Sequence, residues 1–388
     1  MRIDIGEPGA DEIEVTTLGP GATSGESIVV HLKDDEWIII DSCMVGTEVL
    51  PLQYLASIGV GYDKVSKVIC THWHSDHIRG LPRVLAECRN AKFYLAPVGD
   101  FKGYLNVVLK AVGIAPVESN VWNILNDCLE TLYKEGKRMP DLLAKNSRIL
   151  HHNELADMYV IGPSDEMYNR FYASLIRINA DKPDQKDIEN MEGNLCSVAF
   201  SINFKGQKVL LGGDMETGRP KSQKYNFVLC KDACAEHEKC GWCDAIENGN
   251  VFYDEKPYHV VNMPHHSSAS SYCPKMWRES FVEGGPIATT TYFKCAKGED
   301  LPTREMLDTY RTHCDVLFST CGRGHNADKQ DVTNQGLASI DGLEVMEEYV
   351  ETGGAIVCRW RNEEEGWRIW CFGEAKLVDD EYMRFYHL

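Results

Sequence analysis

Within six residues, His72-Trp73-His74-Ser75-Asp76-His77, the chain places three imidazoles and one carboxylate directly after an apolar segment, Lys67-Val68-Ile69-Cys70-Thr71. That segment reads as a buried strand, and residues from about 78 to 87 read as a helix. Loops at strand ends are where α/β folds put their ligand-binding groups. Neutral imidazole and carboxylate suit zinc, iron or manganese. A spacing of two puts His72 and His74 on one side of an extended segment, where both can reach one ion. Asp76 and His77, past the bend, can face a second. Two ions roughly 3.5–4 Å apart can share a hydroxide and clamp both the attacking and the leaving oxygen of a displacement. Bound water with a pKa of about 7 is a nucleophile at neutral pH. The plainer alternative, a surface histidine cluster, fits poorly with the apolar strand that feeds the motif.

The rest of the chain alternates strand and helix patterns in both halves, which predicts a layered α/β architecture. Residues 13–18, 27–32 and 36–41 read as strands, the third (EWIIID) apolar until it ends on Asp41. Residues 47–58 have a helical pattern. Residues 100–152 read as a mostly helical insertion or lid, with 121–137 its clearest helix. A strand follows at 157–162, then a hairpin of 197–204 and 207–213 across Lys205-Gly206 that ends on Asp214 in LLGGD. Residues 259–263 form a strand that runs into Pro264-His265-His266-Ser267. The last third predicts strand, helix, strand and two closing strands. The expectation is one domain over 1–388, carrying insertions at 100–152 and 216–256.

The second insertion is polar and holds Cys230-x3-Cys234-x5-Cys240-x2-Cys243, with His237 inside. Four thiolates in fourteen positions suit a closed tetrahedral zinc site, and a metal would give a segment with little apolar content a reason to fold. Free thiols on a mobile loop are the competing reading.

Composition narrows the function classes. With 388 residues and 43% hydrophobic content the chain can bury a large core. A formal charge of −19 argues against a dedicated nucleic-acid-binding module, which needs a basic face. It does not exclude a nuclease, because bound cations bring positive charge of their own. The first fifteen residues lack the apolar core of a secretory leader, and no apolar run approaches membrane-spanning length. The fifteen cysteines are odd in number and scattered. Together these predict a cytoplasmic protein with reduced thiols, no structural disulfides and no membrane partner.

The run HWHSDH resembles the HxHxDH signature of the metallo-β-lactamase superfamily, and other features fall in the order of that family from about residue 13 to 372. The resemblance implies an αββα sandwich with a binuclear metal site at one edge, holding two divalent ions, zinc or manganese by preference. Asp41 looks like the aspartate that orients a ligand histidine through its free ring nitrogen. Asp214 looks like the aspartate that bridges both metals. His265 in VVNMPHHSS looks like the late histidine ligand of the second metal, with His266 as its neighbouring alternative. Asp76, Asp41 and His265 are the implied catalytic residues, Asp76 orienting or deprotonating the water. The order Asn194-Leu195-Cys196-Ser197, LLGGD, PHHSS resembles the branch that holds the β-lactamase-like domain of competence DNA-uptake proteins and the phosphorylcholine esterases. That branch usually reads HHGS in the late motif, and here Ser267 stands in the glycine's place. Many family members carry one more histidine between HxHxDH and the bridging aspartate. Only His151 and His152 lie in that interval here; either one of them completes the first metal site, or that site uses His265 or His266, a water, or fewer protein ligands, and a loop-borne pair is the preferred reading.

The implied function is a phosphodiesterase, nuclease-like in chemistry, in which a metal-bridged hydroxide attacks a phosphodiester. Long nucleic acid is not favoured by the charge. Two alternatives stand beside it: a hydrolase of small esters, lactones or lactams, and a metal-binding regulatory or scaffold module that meets protein partners through the insertions.

Overall fold

The computed structural model describes residues 5–33, 36–96, 121–134, 136, 138–144, 148–152, 155–180, 193–217, 241–248, 257–295, 298–322 and 353–386. Its strands in chain order are β1 (Ile13–Gly19), β2 (Ser27–Lys33), β3 (Glu36–Ile40), β4 (Met44–Val45), β5 (Glu48–Val49), β6 (Val65–Cys70), β7 (Lys92–Leu95), β8 (Asp141–Leu142), β9 (Arg148–His152), β10 (Ala156–Val160), β11 (Phe200–Phe204), β12 (Gln207–Leu211), β13 (Tyr258–Asn262), β14 (Ile287–Thr290), β15 (Val316–Ser319), β16 (Gly354–Trp360), β17 (Trp367–Gly373) and β18 (Lys376–Leu377). Apart from the β4-β5 pair they form two sheets, in the orders β17-β16-β1-β2-β3-β6-β7-β8 and β18-β15-β14-β13-β12-β11-β10-β9.

The two sheets pack face to face. Thr17 of β1 and Thr289 of β14 meet hydroxyl to hydroxyl at 2.8 Å, and Phe204 of β11 packs edge-on against Trp360 of β16 at 6.1 Å. Helices cover the outside. Met276 and Trp277 from the helix Pro274–Glu279, with Met306, Leu307 and Tyr310 from Arg304–Arg311, share a buried cluster with Tyr258 and Leu317 of the second sheet. The helix Leu50–Ser57 lies on the first sheet, where its Tyr54 hydroxyl donates to Glu14 Oε1 at 2.5 Å. Glu14 points to the opposite face of β1 from Thr17, as strand alternation requires. Arg359 Nε also donates to Glu14, at 2.5 Å, so the buried carboxylate is paired. Truncating either member of that pair would leave the other charge buried alone, at a cost of about 3–5 kcal/mol. The expected αββα sandwich is the observed architecture.

Several local expectations change. The helical stretch at 47–58 begins as strand β5, and the helix starts only at Leu50, with Pro51 in its first turn. The expected helix at 78–87 is two pieces, Ser75–Ile78 and Leu81–Glu87. Gly80 lies at the break, its N–H donating to Ser42 O at 2.9 Å; a Cβ there would sit 2.2 Å from Ser42 Oγ. The 100–152 insertion is helical over Val121–Lys134, but 141–142 and 148–152 are strands that extend the two sheets. Open sheet edges supply backbone partners that helical periodicity cannot register. Among the described residues no helix is long and apolar enough to cross a membrane. The cysteines whose side chains are placed carry free thiols.

Candidate metal centre

Strand β6 ends at Cys70, and the chain stays extended through His74 (φ −74°, ψ 147°) before turning into the helix Ser75–Ile78. Extended backbone alternates its side chains, so Trp73 points away from His72 and His74. Trp73 is buried, packing against Phe171 at 4.9 Å and Trp122 at 6.3 Å. Helices Val121–Lys134 and Asp165–Ala180 therefore clamp the motif from behind. The His72 and His74 rings lie 4.7 Å apart. The turn into the short helix presents Asp76 and His77 beside them, the His72 and His77 rings 4.3 Å apart.

Asp214 enters from the end of β12 and sits among the imidazoles. Its Oδ2 is 3.4 Å from His72 Nε2 and 3.9 Å from His265 Nε2; its Oδ1 is 3.3 Å from His77 Nε2 and 3.9 Å from His266 Nε2. The approach depends on Gly213, whose φ is +50° and where a Cβ would meet Val198 O at 2.5 Å. Ser197 Oγ accepts the Asp214 N–H at 2.8 Å, so the Asn194–Ser197 run singled out in the sequence buttresses the site. His266 Nε2 lies 3.0 Å from Asp76 Oδ2, and His77 Nε2 lies 3.3 Å from the same oxygen.

The late pair divides. His266 is buried and faces Asp76, with Phe293 stacked on its ring at 5.2 Å. His265 is partly exposed; its Nδ1 is 3.1 Å from Ser270 Oγ and 3.4 Å from Glu216 Oε1, and its Nε2 is 3.3 Å from the Asn194 amide. His265, expected from the sequence as the ligand, thus lies at the open side near His74, and His266 lies inside. Strand β9, which carries His151 and His152, is at the outer edge of the second sheet. Cys230, Cys234 and Cys240 lie outside the described residues, and Cys243 belongs to the helix Trp242–Asn248.

Asp41 ends β3 in a left-handed conformation, φ +57°, which aspartate tolerates better than most residues. It accepts the Thr71 N–H at 2.8 Å, the Thr71 hydroxyl at 2.5 Å and His77 Nδ1–H at 2.8 Å. His77 therefore turns Nε2 inward.

Electrostatics separates the histidines. Burial pushes His72 down to about 3, helped by the charge of His77, and burial also lowers His74. Burial works against charge on His77, but the carboxylates of Asp214 and Asp76 prevail and hold it well above the usual histidine range. Asp214 is held well below the usual carboxylate range: burial opposes this, and His77, then His72, overcome it.

Three buried polar atoms here, His72 Nε2, His77 Nε2 and Asp214 Oδ1, have no hydrogen-bond partner. Each such orphan costs about 1–3 kcal/mol, and divalent cations between them would satisfy all three. Among the described residues, donor atoms converge in the groups His72–His74–Asp214, Asp76–His77–His266 and Asp41–His72–His77. The third is the poorest holder, since the Asp41 oxygens are occupied by Thr71 and His77. Sequence reasoning passed over Glu26, Thr71, Glu216, Ser270 and Thr291, which back the imidazoles. Only Thr71, next to the motif, carried any signal along the chain.

Residues 20–117 match the family model described as the metallo-beta-lactamase superfamily. Ribonuclease Z of Crocosphaera subtropica is 24% identical over 246 residues, covering 58% of this chain and 71% of that protein. Among solved structures, the hydrolase AbOPH of the β-lactamase superfamily is 15% identical over 54% of this chain and 72% of its own, with a TM-score of 0.35. The metallo-β-lactamase fold protein YhfI from Bacillus subtilis is 10% identical over 54% of this chain, with a TM-score of 0.30; the match spans 65% of YhfI, just under two thirds of its length. The matched stretch 20–117 contains HWHSDH and is what makes the chain similar to the metallo-β-lactamase superfamily; in the structure the two facing sheets bring Asp214 and the late histidines onto that motif.

Proposed function

We propose that the protein is a binuclear metal-dependent phosphodiesterase, in which His72, His74 and Asp214 hold one ion and Asp76, His77 and His266 hold the other, with Asp214 shared. The convergence of unpartnered buried atoms on Asp214 carries the reading. Two divalent ions, zinc or manganese, would supply Lewis acidity toward a phosphoryl oxygen and lower the pKa of a water. The chain's own residues do the rest. Asp41 holds His77 in the tautomer that presents Nε2. Asp76 faces the space between His77 and His266, where it can orient a water and accept its proton. His265 stands at the open side with Glu216 and Ser270 behind Nδ1, a geometry suited to giving a proton from Nε2 to a leaving oxygen.

The similarity to a protein named a ribonuclease supports a phosphodiester substrate. The charge of −19 opposes tight capture of long nucleic acid, which needs lysine and arginine to displace condensed counterions. A short single-stranded or small-molecule phosphodiester fits both. Bis-p-nitrophenyl phosphate should be cleaved by protein loaded with Mn²⁺ or Zn²⁺, and His72→Ala should lose that turnover. Turnover of a lactone or β-lactam without phosphodiester cleavage would replace this reading with a hydrolase of small esters, lactones or lactams. A fully metallated protein inert toward all of them would point to a regulatory or scaffold module.

A further inference from the structure

Behind His266 lies a buried carboxylate that no motif predicted. Glu26, just before β2, is 2% exposed, and among the described residues no lysine or arginine pairs with it. Its Oε2 accepts the Thr291 hydroxyl at 2.7 Å and faces the Asn262 amide at 3.5 Å. Thr291 Oγ1 is in turn 2.8 Å from His266 Nδ1. The polarity of this chain of bonds is set by proton count. A carboxylate only accepts, and a threonine hydroxyl has one proton to give. Thr291 gives that proton to Glu26, so it accepts from His266 Nδ1–H. The lone pair of Nε2 then faces Asp76. The Glu26 backbone holds the other side of the same contact, its N–H donating to Asp76 O at 3.1 Å.

The same arrangement stands behind His72. Asp41 Oδ2 accepts the Thr71 hydroxyl at 2.5 Å, and Thr71 Oγ1 is 3.0 Å from His72 Nδ1. Thr71 follows β6 in one sheet and Thr291 follows β14 in the other. Each group of candidate ligands thus contains one histidine backed by threonine and then by a buried carboxylate. Burial pushes the Glu26 carboxyl above its ordinary range, and the positive charge that favours its ionised form comes from the side of the candidate metal centre, from His266 and His77; a buried carboxylate keeps its charge only with such compensation.

We propose that Glu26 and Thr291 are positioning residues that fix the ring and tautomer of His266, the counterpart of Asp41 and Thr71 behind His72. The inference rests on the two-ion reading of the site and needs no particular substrate. It is tested on the full chain by zinc stoichiometry and affinity against a competing chelator, and by nitrogen-15 NMR of the histidines in zinc-loaded protein. His266 should show a slowly exchanging proton on Nδ1. Thr291→Val should lose that protected proton and weaken one zinc by about 10–100-fold while sparing the other. Thr291→Ser, which restores the hydroxyl, should recover both readouts. Glu26→Gln, which keeps an acceptor oxygen but removes the charge, should fall between. Unchanged affinity in Thr291→Val, equal weakening of both ions, or a proton on Nε2 of zinc-loaded His266 would overturn the relay while leaving the two-ion site standing. Wild-type protein that binds no zinc would overturn both.

Discussion

The loops after β6 and β13 each bring histidines to the same carboxylates, yet they do so by different backbone means. The first is ordinary: extended residues, then a helical turn. Trp73 anchors it from behind, and alternation decides where His72 and His74 point. The second is strained. His265, His266 and Ser267 are all left-handed, with φ of 50°, 50° and 59°. Such a conformation costs a non-glycine L-residue roughly 1–2 kcal/mol each, so neighbouring contacts must hold it. Ser267 Oγ donates to Thr290 Oγ1 at 2.7 Å, and Ser271 Oγ donates to Pro264 O at 2.9 Å. The related pattern HHGS has glycine where Ser267 stands, and the positive φ supplies the physical reason for it. Where the backbone is regular, alternation tells which side chains share a side; where it is left-handed it does not, and adjacent His265 and His266 take different places.

The largest effect should come from the residue both loops share. Asp214→Ala should abolish hydrolysis and sharply lower bound transition metal, with circular dichroism unchanged. His74→Ala should do the same to the first loop's group. Full activity with full metal content in either variant would break the comparison at its root. Next in size is the contrast within the second loop. His266→Ala should lose about one ion per chain by elemental analysis, whereas His265→Ala should keep both ions and lower kcat, by about 10²–10⁴-fold if it donates a proton. The opposite pattern of metal loss would make His265 the ligand. The smallest effect concerns the strain. Ser267→Gly relieves a left-handed residue but loses a hydrogen bond and gains chain entropy in the unfolded state, so stability should change by no more than about 1 kcal/mol. Ser267→Val, β-branched and without the hydroxyl, should cost more, about 2–3 kcal/mol. Equal melting temperatures for the two variants would show that the loop carries no strain.

The sequence by itself determined a layered α/β class, the HWHSDH cluster, and the placing of Asp41 and Asp214 at strand ends, because these follow from alternation, apolar runs and residue chemistry within a few positions; the αββα sandwich was implied only by the resemblance. It could also suggest that Asn194–Ser197 belongs near the site. Only the tertiary structure decided what lies behind the candidate ligands. Glu26 reaches His266 through Thr291, 265 positions away in the chain, and Glu216 reaches the other face of the late loop across 54 to Ser270. Neither residue has a local pattern, since an isolated glutamate beside a strand looks like any solvated charge. The insertion at 100–152 escaped for a related reason: strands β8 and β9 exist because sheet edges were there to pair with. Likewise the choice between His265 and His266 rests on three left-handed residues that their neighbours hold in place, and a sequence read along one dimension contains no register of those neighbours.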